Sequence, residues 1–333
     1  MPLLSEQLLH RWAKARVFVT GAAGFIGSHL SERLAQLGAD LTLVDDYSSA
    51  PLPPGQLVAG QRVLNMRVGG SDLARLMNTD APEVIFHLAA NAYASESVVD
   101  PVRDMTANLI GTFGLLETLR SVRFSGVLVF ASSAAVYGEP QHLPLTEENL
   151  TSPISPYGVS KLGAEKYISV YASLYGIAAV CIRLFSTYGP RQRKQVIYDL
   201  LTKVRNGESP VLLCGNGTQI RDLVYVSDVV EGMLVAACSG LRDGSVYNLC
   251  SGVGISIRRL AEEVLRILDS RASIEFNGVS RCGDPDRLIG SPTKLTALGF
   301  VPQVSLNDGL CRTVDWFVRA NVAWGPRAQV PLC

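Results

Sequence analysis

The sequence carries no excess of charge of either sign, with Lys and Arg totalling 30 and Asp and Glu totalling 30. Without a long run of one sign there is no electrostatic footprint for nucleic acid or an anionic membrane surface, so a small-molecule partner is the better expectation. No uninterrupted apolar run approaches the roughly 20 residues that span a bilayer, so no membrane association is expected. The stretch MPLLSEQLLHRWAKAR is apolar only briefly, is broken by Ser5, Glu6 and Gln7, and runs into a strand pattern rather than a cleavage site. A short leading helix is expected there. Cysteine is sparse, seven in 333 residues, with no CxxC pair and no clustered histidines, which disfavours a structural zinc site. Several cysteines sit in apolar runs such as VCIRL and VLLCG, where a reduced thiol acts as a small buried hydrophobe. That usage points to a reducing cytoplasm. Internal repeats, low-complexity tracts and long linkers are also missing.

What is present is apolar residues in quantity, 47% of the chain, enough for one large domain or two closely joined ones. Short β-branched runs recur through the first half: RVFVT, LTLVD, EVIFHLA, GVLVFAS and AAVCIRL, each next to a helical pattern. Between the first two, Leu30, Leu34 and Leu37 fall on one helical face and Gly38 stands where a helix commonly stops. Repeated βα units imply an α/β fold, a Rossmann-type doubly wound parallel sheet covered by helices on both faces. After about residue 186 the pattern is less regular, with strand-like PVLLCG, DLVYV, SVYNLC and SIEFN and helices near 196–206, 228–239 and 256–268. The expected organisation is a dinucleotide-binding domain over 1–185, with a return segment near 220–250, and a smaller substrate-binding domain made mainly from 186–333.

Strand RVFVT runs into Gly21-Ala22-Ala23-Gly24-Phe25-Ile26-Gly27 and then into a helix. Glycines there allow a tight turn and let the backbone approach a pyrophosphate, which the free N–H groups and dipole of a helix N-terminus attract. An ordinary glycine-rich turn is the plainer reading, and the strand before and helix after make it the weaker one. At the end of the second strand Asp45 can accept hydrogen bonds from the adenosine ribose hydroxyls, and it would repel a 2′-phosphate. With Asp46 beside it and no arginine immediately following, NAD is favoured over NADP. A turn role explains Asp46 as well as a cofactor role does.

With HLAA at 87–90, SSAAVYG at 132–138 and YGVSK at 157–161, this sequence resembles the extended short-chain dehydrogenase/reductases, specifically the NAD-dependent nucleotide-sugar epimerase/dehydratase family. RLFSTYGPR at 183–191, GNGTQIRDLVYVSDV at 215–229 and RCGDP at 281–285 follow in the family's order. The resemblance implies cofactor contacts from Gly21, Gly24, Phe25, Ile26, Gly27, Asp45, Asp46, Leu88, Ala89, Ala90, Asn108, Tyr157 and Lys161. It implies substrate contacts from Ser95, Ser133, Ser186, Arg221, Arg281 and Asp284, with a nucleoside-diphosphate sugar (UDP, TDP or GDP) as ligand and a homodimer through two Rossmann-domain helices. For any arginine taken singly, a solvated surface loop is the commoner fate. Two departures stand out. Gly69 falls where the family often has an adenine-contacting aspartate, with Asp72 as a substitute, and Ser186 stands where an asparagine is common. Ser95, Glu96 and Ser97 resemble a substrate-proximal loop, although a helix N-cap explains one serine equally well.

Tyr157 and Lys161, four positions apart on an apparent helix, project from one face. Tyrosine titrates near 10, and a nearby ammonium together with the oxidised nicotinamide would stabilise its phenolate, making Tyr157 a general base. An isolated Tyr-x-x-x-Lys pair is more often a packed ring and a solvated lysine. The resemblance shifts that balance, and it assigns Ser133 to the hydroxyl being oxidised and leaves Ser132 structural. Dehydratases of the family follow that Ser or Thr with Asp and Glu, which exchange the protons of water loss. Here Ala134 and Ala135 follow, and methyl groups exchange no proton. The expectation is therefore an NAD-dependent C4 epimerase working through a transient 4-keto-sugar. An unusual dehydratase and a 4-keto-sugar reductase are the alternatives, and outside enzymes an NAD-sensing binding protein.

Overall fold

The computed structural model describes residues 10–48, 62–69 and 71–320. In the first half the elements are β1 (Arg16–Thr20), α1 (Phe25–Gln36), β2 (Asp40–Asp45), β3 (Arg62–Asn65), α2 (Ser71–Asp80) and β4 (Val84–His87). They continue as α3 (Ala94–Val99), α4 (Pro101–Met105), α5 (Gly111–Ser121), β5 (Val127–Ser133), α6 (Pro156–Tyr175) and β6 (Ala179–Leu184). A π-helical turn, Thr106–Ile110, joins α4 to α5. The second half holds β7 (Ser186–Tyr188), α7 (Gln195–Arg205), β8 (Val211–Leu213), β9 (Ile220–Tyr225), α8 (Val226–Ser239) and β10 (Asp243–Leu249). It closes with β11 (Gly254–Ser256), α9 (Ile257–Ile267), β12 (Ile274–Phe276), β13 (Arg287–Leu288), α10 (Thr293–Thr296) and α11 (Leu306–Ala320). Of the leading stretch, only residues 10–12 are described as helical, and the part before them lies outside the described residues.

Seven strands form one parallel sheet in the order β10-β6-β5-β4-β1-β2-β3, the doubly wound architecture expected. The sheet is buried on both faces because its strands are almost continuously apolar: Val17, Val19, Phe86, Val129 and Ile182 face one core, and Phe18, Ile85, Leu128, Phe130 and Cys181 the other. In α1, Leu30 and Leu34 are fully buried, and Gly38 takes the left-handed conformation that ends the turn after it. Helix α6 starts at Ser155, whose Oγ accepts from the Gly158 amide, with Pro156 in the first turn, and stops at left-handed Gly176. The chain re-enters the large sheet through β10, which pairs with β6.

Strand order reverses between β1 and β4, whose connections run to opposite sides of the sheet. At such a switch point the loops after the strands diverge and leave a crevice at the carboxyl ends. Beyond it, β9 pairs with β7, β11 and β13, and β8 with β12, over a separate apolar cluster that includes Tyr188, Leu200, Leu260 and Phe317. No helix among the described residues is long and apolar enough to cross a membrane.

Candidate active site

The crevice is a cavity of ≈ 1090 Å³, at the upper end of typical ligand-site volumes and large enough for two sizeable ligands side by side. Its floor at one end is the turn between β1 and α1. Gly21 has φ +71°, and a Cβ there would sit 2.7 Å from the Ala89 amide nitrogen. At Gly27 a Cβ would run into the Gly21 carbonyl oxygen. Both positions therefore require glycine, and the turn brings bare backbone and the N-terminus of α1 to the cavity wall, where Gly21, Gly24, Phe25, Ile26 and Gly27 all lie. That cradle fits a dinucleotide pyrophosphate. Asp45 lines the same end and also braces the turn, since Oδ2 accepts from the Ala23 amide at 2.8 Å and Oδ1 from the Tyr47 amide at 2.7 Å. Burial raises its pKa while these amides oppose the rise. Asp46 accepts from the Ser48 amide at 3.0 Å and pairs with Arg67 at 3.4 Å.

At the other end of the sheet's crest, Ser133, Ala134, Ala135, Tyr157 and Lys161 share the wall with Leu88, Ala89 and Ala90. Strand β5 delivers Ser133, and the first two turns of α6 deliver the tyrosine and lysine. Tyr157 stands on this wall with Ser133, and burial pushes its phenol up to about 12, with Ser133 opposing the rise and Asp104 adding to it. The Lys161 ammonium, 3% exposed, donates to the Ala131 carbonyl at 2.8 Å and lies 5.9 Å from the centre of the Tyr157 ring. Burial brings its pKa down to about 8. Ser132 is turned away to Glu165, 2.5 Å off, which forms a buried fork with Arg183 at 2.7 and 3.0 Å.

Toward the second half, Ser186, Arg221 and Asp284 complete the cavity. Arg221 is held by Asp284 at 2.8 Å and by the Ile220 and Asp286 carbonyls. Across the mouth Lys194 joins Glu96 at 3.1 Å and sits 3.8 Å from the centre of the Tyr93 ring. Among the described residues, the carboxylates on the cavity wall are Asp45, Asp46 and Asp284, none of them in the stretch after Ser133.

The structure thus brings together most of the residues singled out from sequence, and leaves Asn108, Arg281, Ser95, Glu96, Ser97 and Asp72 off the wall. Asn108 is buried behind it, its amide bonded to Asn91 and Asp104. Arg281 is exposed and off the wall, so only its segment neighbours Gly283, Asp284 and Pro285 reach the cavity. Ser95 lies on α3 and does not reach the cavity, and no serine caps that helix; Ser97 instead touches the site, accepting from the Tyr157 amide at 3.0 Å. Asp72 is exposed and pairs with Arg75, while Gly69 does line the cavity together with Arg67. Sequence reasoning missed Tyr93, Arg103, Arg191, Arg193 and Lys194 on the wall. The basic run after Tyr-Gly-Pro is the available signal for the last three.

Residues 17–250 match the profile of the NAD dependent epimerase/dehydratase family. The chain belongs to that family. It is 33% identical over 309 residues to a UDP-glucose 4-epimerase of Mycolicibacterium smegmatis, covering 91% of this chain and 98% of the relative. Among solved structures it is similar to Thermotoga maritima UDP-glucose 4-epimerase with UDP-glucose, at 32% identity and TM-score 0.86 over 92% of this chain and 99% of that one. A Bacillus cereus UDP-glucuronic acid 4-epimerase with UDP-glucuronic acid and NAD is similar at 29% identity and TM-score 0.84, again over 92% and 99%. NAD, the cofactor expected from Asp45, is the family's.

Proposed function

We propose that this family member is a C4 epimerase of a nucleoside-diphosphate sugar, with UDP-sugars as the first substrates to test because the compared relatives act on them. The observation that carries the reading is the pairing of Ser133, Tyr157 and Lys161 on one wall with Ala134 and Ala135 in place of a proton-exchanging acid pair. When bound, NAD supplies the hydride acceptor and donor. Tyr157 takes the proton of the sugar hydroxyl, Ser133 holds that oxygen, and Lys161 stabilises the phenolate. The sugar is left as a transient 4-keto species, presents its other face, and regains hydride while Tyr157 returns the proton. Arg221, kept straight by Asp284, holds the diphosphate. No carboxylate on the described wall stands ready for elimination, which disfavours the dehydratase reading.

A homodimer fits the surface of α6, where Val159, Tyr167, Val170 and Leu174 form an exposed apolar row at helical spacing beside exposed Met105 and Ile110. A cytoplasmic location fits the six described cysteines, all of them free. The enzymatic reading is tested by incubating the purified protein with UDP-sugars without added NAD(P)H. Interconversion of 4-epimers is the expected result, and turnover that demands stoichiometric NAD(P)H identifies a reductase instead.

A further inference from the structure

Beneath Ser133, Tyr157 and Lys161 lies a buried carboxylate that the mechanism so far does not use. Asp104, on α4, is 0% exposed. Its Oδ2 accepts from Ser160 Oγ at 2.7 Å and its Oδ1 from Asn108 Nδ2 at 2.8 Å. Ser160 is the residue before Lys161, and Asn108 in turn holds Asn91 at the root of the cavity loop through a 2.8 Å bond from the Asn91 amide. Among the described residues no cation touches Asp104, and the ammonium whose field it shares is that of Lys161.

The other charged groups facing this spot from the packed elements are already matched. Glu165 of α6 and Arg183 of β6 neutralise each other in their fork. Glu96 of α3 is bonded to Lys194, and Glu117 of α5 to Arg120 and Tyr171. His87 of β4 is buried between Thr20 and Thr112, and burial brings its pKa down to about 3, so it is neutral. Arg103 of α4 is exposed on the cavity wall, and Asp243 of β10 is exposed and bonded to Ser245. What remains is one buried ammonium, Lys161, and one buried carboxylate, Asp104, neither of them in an ion pair among the described residues.

We propose that Asp104 is a positioning residue for the reaction, whose carboxylate fixes Ser160 and Asn108 and offsets Lys161, so that Tyr157 would ionise only with the oxidised nicotinamide bound. The charges then balance through the step. With NAD bound, the C4–H electron pair would pass to its oxidised ring while the O–H proton would go to the Tyr157 phenolate. One positive and one negative charge disappear together, and the reverse step restores both. A lysine left unopposed would keep Tyr157 ionised after hydride transfer and hold back the return proton.

The inference rests on the epimerase reading only for the purpose of the proton transfer; the ionisation of Tyr157 is read without any sugar. Full-length protein carrying tyrosine labelled at Cζ, loaded with NAD⁺ or with NADH, is titrated by NMR, and the Tyr157 signal is assigned by its loss in Tyr157→Phe. In the wild type Tyr157 ionises at lower pH with NAD⁺ than with NADH. Asp104→Asn lowers both midpoints by about one pH unit, the usual scale for removing a nearby like charge, whereas Asp104→Glu keeps them. The acid limb of kcat/KM against pH moves down equally in Asp104→Asn. A folded Asp104→Asn protein whose Tyr157 titration is unchanged overturns the proposal, because a merely structural carboxylate lowers the melting temperature without moving that titration. Should Asp104→Asn fail to fold, Asp104→Ser is titrated in its place, and a Tyr157 midpoint unchanged from the wild type overturns the proposal in the same way.

Discussion

The two ends of the cavity are built differently. The end that holds Tyr157 and Lys161 is assembled from strand β5 and helices α4 and α6, with its charges buried, matched and held by short hydrogen bonds. The end that faces the second half relies on pairs that reach solvent: the side chains of Arg221 and Asp284 are 11% and 40% exposed, and those of Lys194 and Glu96 39% and 44%. Buried charges feel little screening and tolerate little change, while exposed pairs are weak and adaptable. On the proposed reading, chemistry sits at the rigid end and grip at the adjustable one.

This contrast fixes the order of mutational effects. Tyr157→Phe removes the proton-accepting oxygen and keeps the ring, so kcat falls by about 10³-fold, within the usual range for a general base, while NAD remains bound. Retained NAD absorbance with near-normal turnover would take the base role away from Tyr157. Asp45→Ala comes next. It removes the ribose acceptor and frees the Ala23 and Tyr47 amides at once, so NAD affinity measured by calorimetry drops by on the order of 10- to 100-fold, as for hydrogen bonds to a charged group. The preference over NADP narrows with it. Arg221→Ala strips a charge-assisted donor from the grip and leaves kcat almost intact, raising KM by about tenfold. A fall in kcat with unchanged KM would move Arg221 into the chemistry. Lys194→Ala has the smallest effect, a KM rise of about two- to fivefold that fades at high salt, as expected for an exposed ion pair.

Legibility in the sequence follows the same division. The β1-turn-α1 unit is readable because its determinants are local: a β-branched strand, glycines at fixed spacing and a leucine face of helical period. Tyr157 and Lys161 are readable for the same reason, being one helical turn apart. Asp104 is not. Its surroundings, PVRDM, look like a solvated helix, with Val102 67% and Met105 46% exposed, and its burial depends on Ser160 arriving from a helix 56 residues away. Arg191 likewise finds Glu32 across 159 positions, a contact no local pattern encodes. Arg281 stands off the cavity wall, although its segment does enter the cavity, through Asp284 three residues later. Among Ser95, Glu96 and Ser97 the helical phase of α3 decides which serine faces inward, and that phase is set by a helix start at Ala94 that no capping side chain marks. The strip after β3 misleads in a similar way, since Arg67 and its partner Asp46 meet only once β2 and β3 are paired.

The most direct test of the central claim follows mass and isotope together. The protein is incubated with a UDP-sugar in D₂O, and the products are analysed by mass spectrometry and NMR. If Tyr157 exchanges only the hydroxyl proton and the same hydride leaves and returns at C4, the product is the 4-epimer, of unchanged mass once hydroxyl deuterium is washed out, with no deuterium on carbon. A product that has lost water and carries deuterium on carbon would contradict the account and send the search to a carboxylate beyond Ala134 and Ala135.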